Sequence, residues 1–304
     1  MKKVISILTC LCLLMTTGCS RQETIRFGAA GVGGMYYPFA NAFTELASKD
    51  ETGINWKVKS TAGSAANLRL LSDNYIELGI AQADLIEDAY YGKGTFHSGK
   101  YRGYKAVASL YPEACQIVVR KDSDITSLDD LEGKNVSVGE EESGTERNAT
   151  QILEMCGLPD NLVNTKNLDY TDAADQLAEK KIDAFFCTAG ICTTVIEELT
   201  KECDIRLLEI PESCRQKLKK AYSFYDDYVI PAGTYFGQTE DIQTISVQSV
   251  LLASSTLSEK TVQKLTASLF KHIKDIQYSI SINLQLTPQE LSLIHISEPT
   301  RPRL

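Results

Sequence analysis

From Thr24 onward, short apolar runs alternate with stretches of helical spacing, the pattern of strands joined by helices in α/β layers. Ile25-Arg26-Phe27-Gly28-Ala29 predicts a strand ending in glycine, and Tyr37 to Ala47 an amphipathic helix. Trp56 to Ser60 alternates with period two, breaks at Thr61-Ala62-Gly63-Ser64, and gives way to helical spacing over Ala65 to Ser72. Ile76 to Ala81 reads as a third strand before a helix over Asp84 to Tyr91, and Lys105 to Leu110 as a fourth after a loop. A break is expected at Pro112, and Cys115 to Arg120 opens a second unit. In that unit Ile125 to Leu131 predicts a short capped helix, Asn135 to Gly139 a strand, and Ser143-Gly144-Thr145 the start of a helix ending near Gly157. Helix Ala173 to Lys181, strand Ile182 to Cys187, helix Cys192 to Thr200 and strand Ile205 to Ile210 follow. Ile245 to Ala253 is strand-like, and Ser258 to Tyr278 has the spacing of one long helix.

The ends depart from this pattern. Lys2 and Lys3 precede a twelve-residue, mostly apolar run from Val4 to Met15, which is too short for a permanent membrane span and predicts an export signal over 1–18. Thr16-Thr17-Gly18-Cys19 then resembles the lipobox of bacterial lipoproteins, with Thr16 where Leu is usual. The expectation is lipidation at Cys19 and an anchor and linker over 19–23; ordinary signal cleavage with Cys19 incidental is the alternative. At the other end, Leu291 to Arg301 resembles the translation of a sequencing-library adaptor, so 291–304 is expected to be non-native, with the genuine frame ending near Glu290.

Composition narrows the function classes. Hydrophobic residues at 43% and charged residues at 23% are ordinary for globular proteins, which excludes a disordered or multi-span membrane chain. The net charge of −9, without a basic run, excludes an extended phosphate-binding face, so no nucleic acid partner is expected. His97, His272 and His295 lie far apart and show no ligand spacing, so neither a metal nor a cofactor is expected.

The chemistry gathers at strand-to-helix junctions. Gly31-Val32-Gly33-Gly34-Met35-Tyr36 lies where a dinucleotide fingerprint would, but G-x-G-x-x-G fails at Tyr36. What remains is a close backbone approach at a helix N-terminus, where free N–H groups favour an anion, or a plain tight turn. Thr61 with Gly63 and Ser64, and Ser143-Gly144-Thr145, repeat the arrangement. One such junction reads as an ordinary helix cap; three of them, spread over both units, point to a shared site at the sheet crevice.

These segments resemble the TAXI group of solute-binding proteins, which serve TRAP-type secondary transporters. The matching stretches include Gly31 to Pro38, Gly63-Ser64 with Asn67 to Leu71, Ala81-Gln82-Ala83-Asp84, Leu110-Tyr111-Pro112-Glu113, Leu131 to Lys134, Ser143 to Thr145, Ile182 to Phe186 with Ala189-Gly190, and Pro231 to Tyr235. The resemblance implies an α/β, two-lobe periplasmic-binding-protein fold of type II-like topology, with a ligand cleft between lobes. Expected bounds are 24–112 for the first lobe, 113–230 for the second, and 231–290 for a hinge return completing the first. It also implies a non-enzymatic, extracytoplasmic, monomeric receptor that hands a small carboxylate or amino-acid-like solute to TRAP permease subunits. The expected ligand-binding set is Gly33, Gly34, Met35, Tyr36, Thr61, Gly63, Ser64, Gln82, Asp84, Tyr111, Ser143, Gly144, Thr145, Thr188, Ala189 and Tyr235. An ABC-importer receptor is the alternative within this class; a secreted cleft transferase or hydrolase is the alternative outside it.

Cys115, Cys156, Cys187, Cys192, Cys203 and Cys214 remain after Cys19. Export permits bridges among them, and reduced buried thiols are the competing reading. A nucleophilic cysteine, as in the related bilobal fold of porphobilinogen deaminase, is disfavoured by the export signal.

Overall fold

The computed structural model describes residues 23–281 apart from 51, 52 and 160, together with Leu284. Cys19, the export signal and the tail from Leu291 lie outside the described residues. Ten strands form one sheet in the order β2-β1-β3-β10-β4-β7-β5-β6, with β8 added to β4 and β9 to β10.

At one end, β1 (Glu23–Gly28) lies parallel to β2 (Ile54–Lys59) and β3 (Leu78–Gln82). Helices α1 (Tyr36–Asp50), α2 (Ser64–Ser72) and α3 (Ala83–Tyr91) make the connections. At the other end, β5 (Asn135–Ser137) lies parallel to β6 (Asn164–Lys166) and β7 (Ala184–Ala189), with α4 (Gly144–Met155), α5 (Tyr170–Ala178), α6 (Thr194–Glu202), β8 (Ile205–Leu207) and α7 (Glu212–Ala221) around them. The two halves are joined by long antiparallel strands, β4 (Tyr104–Arg120) and β10 (Ile242–Ser254), with β9 (Asp226–Ile230) on the latter. Helices α8 (Glu259–Lys271) and α9 (Ile273–Ile280) return to the first half and pack against α1.

Strands covered on both faces lose their alternation: every residue of β3 and β7 is buried. Phe39, Phe43 and Ala47 recur at helical spacing along α1, and Phe43 meets Phe27 and Trp56 edge-on. One apolar cluster continues from these residues through Leu110 and Ala114 to Phe185 and Ile196, so the halves share a core on one side of the sheet.

Three expected elements are corrected. Pro112 does not break the chain: β4 runs straight through it. The proline, which has no N–H to give, faces Gln248 at a register shift in β10. Ser249 substitutes for the ladder there, its hydroxyl donating to the Tyr111 carbonyl (2.7 Å) and accepting from the Tyr111 N–H (3.3 Å). The single helix expected over Ser258 to Tyr278 is two helices broken at His272, whose ring reaches Asp50 at 2.9 Å. The helix expected over Ile125 to Leu131 shrinks to a 3-10 turn, because the Asp130 carboxylate accepts from the Thr126 and Ser127 N–H groups (2.9 Å each).

Of the six cysteines, Cys156 and Cys214 form a disulfide joining the end of α4 to α7, within the second half. Cys115, Cys187, Cys192 and Cys203 are free thiols. Among the described residues no helix is long and apolar enough to cross a membrane.

Candidate functional site

The three junctions converge. A cavity of about 370 Å³ lies between the halves, lined by Ala30 to Tyr36 and Ser60 to Ser64 from the first and by Ser143 to Thr145 with Thr188 and Ala189 from the second. Gly33, Gly34, Met35, Tyr36, Thr61, Gly63, Ser64, Gln82, Ser143, Gly144, Thr145, Thr188 and Ala189 all line it. Close approach across the cleft explains two of the glycines. Gly63 holds φ at +131°, and a Cβ there would lie 3.3 Å from Ser143 Cα. At Gly144 a Cβ would collide with the Gln82 side-chain amide.

The hydroxyls mostly serve the scaffold. Ser143 caps its own helix by accepting from the Glu146 N–H (3.0 Å). Thr145 bonds to the Tyr170 hydroxyl and accepts from the Thr188 N–H. Thr61 accepts from the Ala30 N–H (3.0 Å) and donates to Asn67 Oδ1 (2.8 Å). At the start of α2, the N–H groups of Ala65 and Ala66 point at the Glu142 carbonyl of the other half, at 3.1 and 3.4 Å.

Asp84, Tyr111 and Tyr235 were expected in the site and do not line the cavity. Asp84 is buried at the start of α3, 3.4 Å from Asn148 Nδ2 across the cleft. Burial pushes its carboxyl up to about 7. Tyr111 faces the core beside the Pro112 irregularity. Tyr235 is held in the turn between β9 and β10, donating to Gln116 Oε1 and accepting from the Thr193 N–H.

The residues that sequence reasoning missed are more polar. Tyr170, Asp169 and Thr171 come from a fourth strand-to-helix junction, behind a strand of only three residues that carries no apolar signal. Asp169 caps α5 by accepting from the Asp172 N–H (2.9 Å), so a D-x-x-D cap was the available clue. Glu140 also lines the wall, its carboxyl raised by burial and by Asp169.

Glu113 forms part of the floor. It is 2% exposed and accepts from the Tyr36 hydroxyl (3.1 Å) and from Gln82 Nε2 (2.9 Å). Burial pushes its carboxyl up to about 8; these two hydrogen bonds oppose the shift and the Asp84 carboxylate adds to it. Among the described residues no lysine or arginine lines the cavity. The nearest arginines flank it and cross between halves, Arg69 to Glu142 at 2.9 Å and Arg147 to Asp88 at 2.8 Å.

The sequence profile of the NMT1-like family matches residues 27–298. The chain belongs to that family. Solved structures similar to this family member include one described as a periplasmic transporter (14% identity, 87% of this chain and 89% of that one, TM-score 0.59). A binding-protein component of an ABC phosphonate transporter from Pseudomonas aeruginosa is similar at 14% identity (90% and 84%, TM-score 0.56). The alkanesulfonate-binding protein of Xanthomonas axonopodis pv. citri, bound to MOPS, is similar at 17% identity (89% and 82%, TM-score 0.54). At these identities the likeness shows the fold, a mixed α/β periplasmic solute-binding fold with a ligand cleft.

Proposed function

We propose that the protein is an extracytoplasmic receptor that captures a small carboxylate-bearing or amino-acid-like solute between its halves and presents it, chemically unchanged, to a membrane permease. The observation that carries this reading is the cavity walled from both halves, into which the starts of α1 and α4 project. Free N–H groups at helix starts suit an oxyanion. Glu140 and Asp169 on the wall could meet an ammonium group on the same solute.

The motif resemblance supports a TRAP-type permease as partner, and the similar phosphonate and alkanesulfonate receptors support an ABC importer. Uptake in membrane vesicles separates them: a TRAP system runs on an ion gradient and an ABC system requires ATP. Attachment through a lipidated Cys19 belongs to the same proposal, and a Cys19→Ala protein should leave the membrane fraction.

A thermal-shift screen with succinate, L-malate, L-glutamate, 2-oxoglutarate, methylphosphonate and methanesulfonate tests the reading. A solute at a hundred times its Kd adds about 2.7 kcal/mol, a rise of several degrees. Absence of any shift, or chemical turnover of the solute by mass spectrometry, overturns it.

A further inference from the structure

We propose that Glu113 sets which solutes the cavity holds: it meets an anionic solute as a carboxylic acid, with its proton on Oε1, so that binding at alkaline pH takes up one proton. The inference rests on the receptor reading and names the group by which that site selects.

The geometry leaves the carboxyl without a counter-ion. Both hydrogen bonds to it end on Oε2, from the neutral donors Tyr36 and Gln82, so Oε1 is the oxygen free to carry a proton. The titratable groups that face it are Tyr36 on α1, Asp84 on α3, Tyr111 and Cys115 on β4, Tyr170 on α5 and Cys187 on β7. None is a cation. Its partner across β10 is Val247, which adds no charge. Arg69 and Arg147 are engaged by Glu142 and Asp88 on the flank.

An anion entering such a cavity would lie beside an ionised carboxylate in a medium of low polarity, and two like charges so placed cannot both remain ionised. Burial already favours the protonated form in the empty cavity, raising the carboxyl to about 8. An anion therefore meets a neutral donor below that pH and draws a proton from solvent above it. Glu113→Gln keeps the shape and an N–H donor and removes the proton.

Two measurements test this. In protein labelled with carboxyl-13C glutamate, the Glu113 signal, assigned by its loss in Glu113→Gln, should remain that of a protonated acid at pH 7. Calorimetry with succinate, L-glutamate, 2-oxoglutarate and putrescine should then find an anion whose Kd is flat to about pH 7 and rises roughly tenfold per pH unit above about 8. In buffers of different ionisation enthalpy, proton uptake should approach one in that alkaline range. Glu113→Gln should bind the same anion with no such slope and no such uptake.

An ionised Glu113 at pH 7 in the ligand-free protein overturns the inference whatever binds. So does tight binding of putrescine alone, or an identical pH profile in Glu113→Gln. The receptor reading fails separately, when nothing in its own screen binds; should Glu113→Gln fold poorly, through-bond correlation to the Glu113 backbone assigns the carboxyl in the unmutated protein, and its protonation state still decides the inference.

Discussion

The floor of the cavity and the flank of the cleft both carry carboxylates but partner them differently. On the flank, Arg147 meets Asp88 and Arg69 meets Glu142, and the Arg69 guanidinium also stacks over Phe96 and Tyr101 at 4.8 and 4.9 Å. Those side chains keep part of their surface in water, so the ions pair and tie one half to the other. On the floor, Glu113 is almost completely buried and hydrogen-bonded to neutral donors alone among the described residues, and burial raises its carboxyl; Asp84, buried at the start of α3 outside the cavity lining, is raised by burial as well, against the opposing charge of Arg147. Cations placed where water still reaches serve as fasteners; among the described residues none lines the floor, where the proposed neutral acid is Glu113 alone. Helix α4 takes part in both regions, with Gly144 on the floor and Arg147 on the flank.

The largest effect should come from pH acting on the floor. Glu113 at about 8 and Asp84 at about 7 lie above their values in an unfolded chain. Their contribution is fully present below about pH 4 and is lost as pH rises through about 7 and 8, on the order of several kcal/mol together. The melting temperature should fall between pH 5 and 9, and Glu113→Gln and Asp84→Asn should each flatten that slope. A slope unchanged in both variants would place these acids with the ionised flank.

Next comes the scaffold that carries α4. Replacing Cys156 and Cys214 by serine opens a loop of 58 residues, a loss of about 4 kcal/mol by loop-closure entropy. Solute affinity should hardly change, since the bridge lies within one half; a matching loss of affinity would show that the staple also governs the cleft.

On the floor side of α4, Gly144→Ala drives a methyl into the Gln82 amide. Overpacking of about 1–3 kcal/mol where the halves meet predicts a roughly 5- to 160-fold weaker Kd by calorimetry. On the flank side, Arg147→Met leaves Asp88, 13% exposed, facing the cleft unpaired. The expected loss is about 1 kcal/mol, a roughly fivefold weaker Kd; because the Arg147 charge lowers the Asp84 carboxyl, its removal should also steepen the pH slope of stability.

The junctions at Gly33-Gly34, Gly63-Ser64 and Ser143-Gly144-Thr145 were legible because small residues recur between an apolar run and a helix start three times, where one alone reads as a helix cap. The alternation of strands and helices was legible from local periodicity, and the order of strands in the sheet was not. Tyr170 was not, because β6 is the polar tripeptide Asn164-Thr165-Lys166 and its pairing with β5 supplies the order that its sequence lacks. Glu113 followed a proline that reads as a break; only the compensating Ser249 on β10, far away in sequence, shows that the strand continues and buries it. Tyr111 and Tyr235 were placed in the site from the family resemblance and their phenol donors, and their surroundings are core and turn.

The Glu142 carbonyl that faces the first N–H groups of α2 is an internal competitor. A peptide oxygen already occupies the seat that an anion would take at that helix, and does so only while the halves are together. For the proposed receptor, a solute reaching the start of α2 would have to displace this carbonyl and hold the halves apart, whereas a shorter one would leave it in place, so the contact would sort solutes by length.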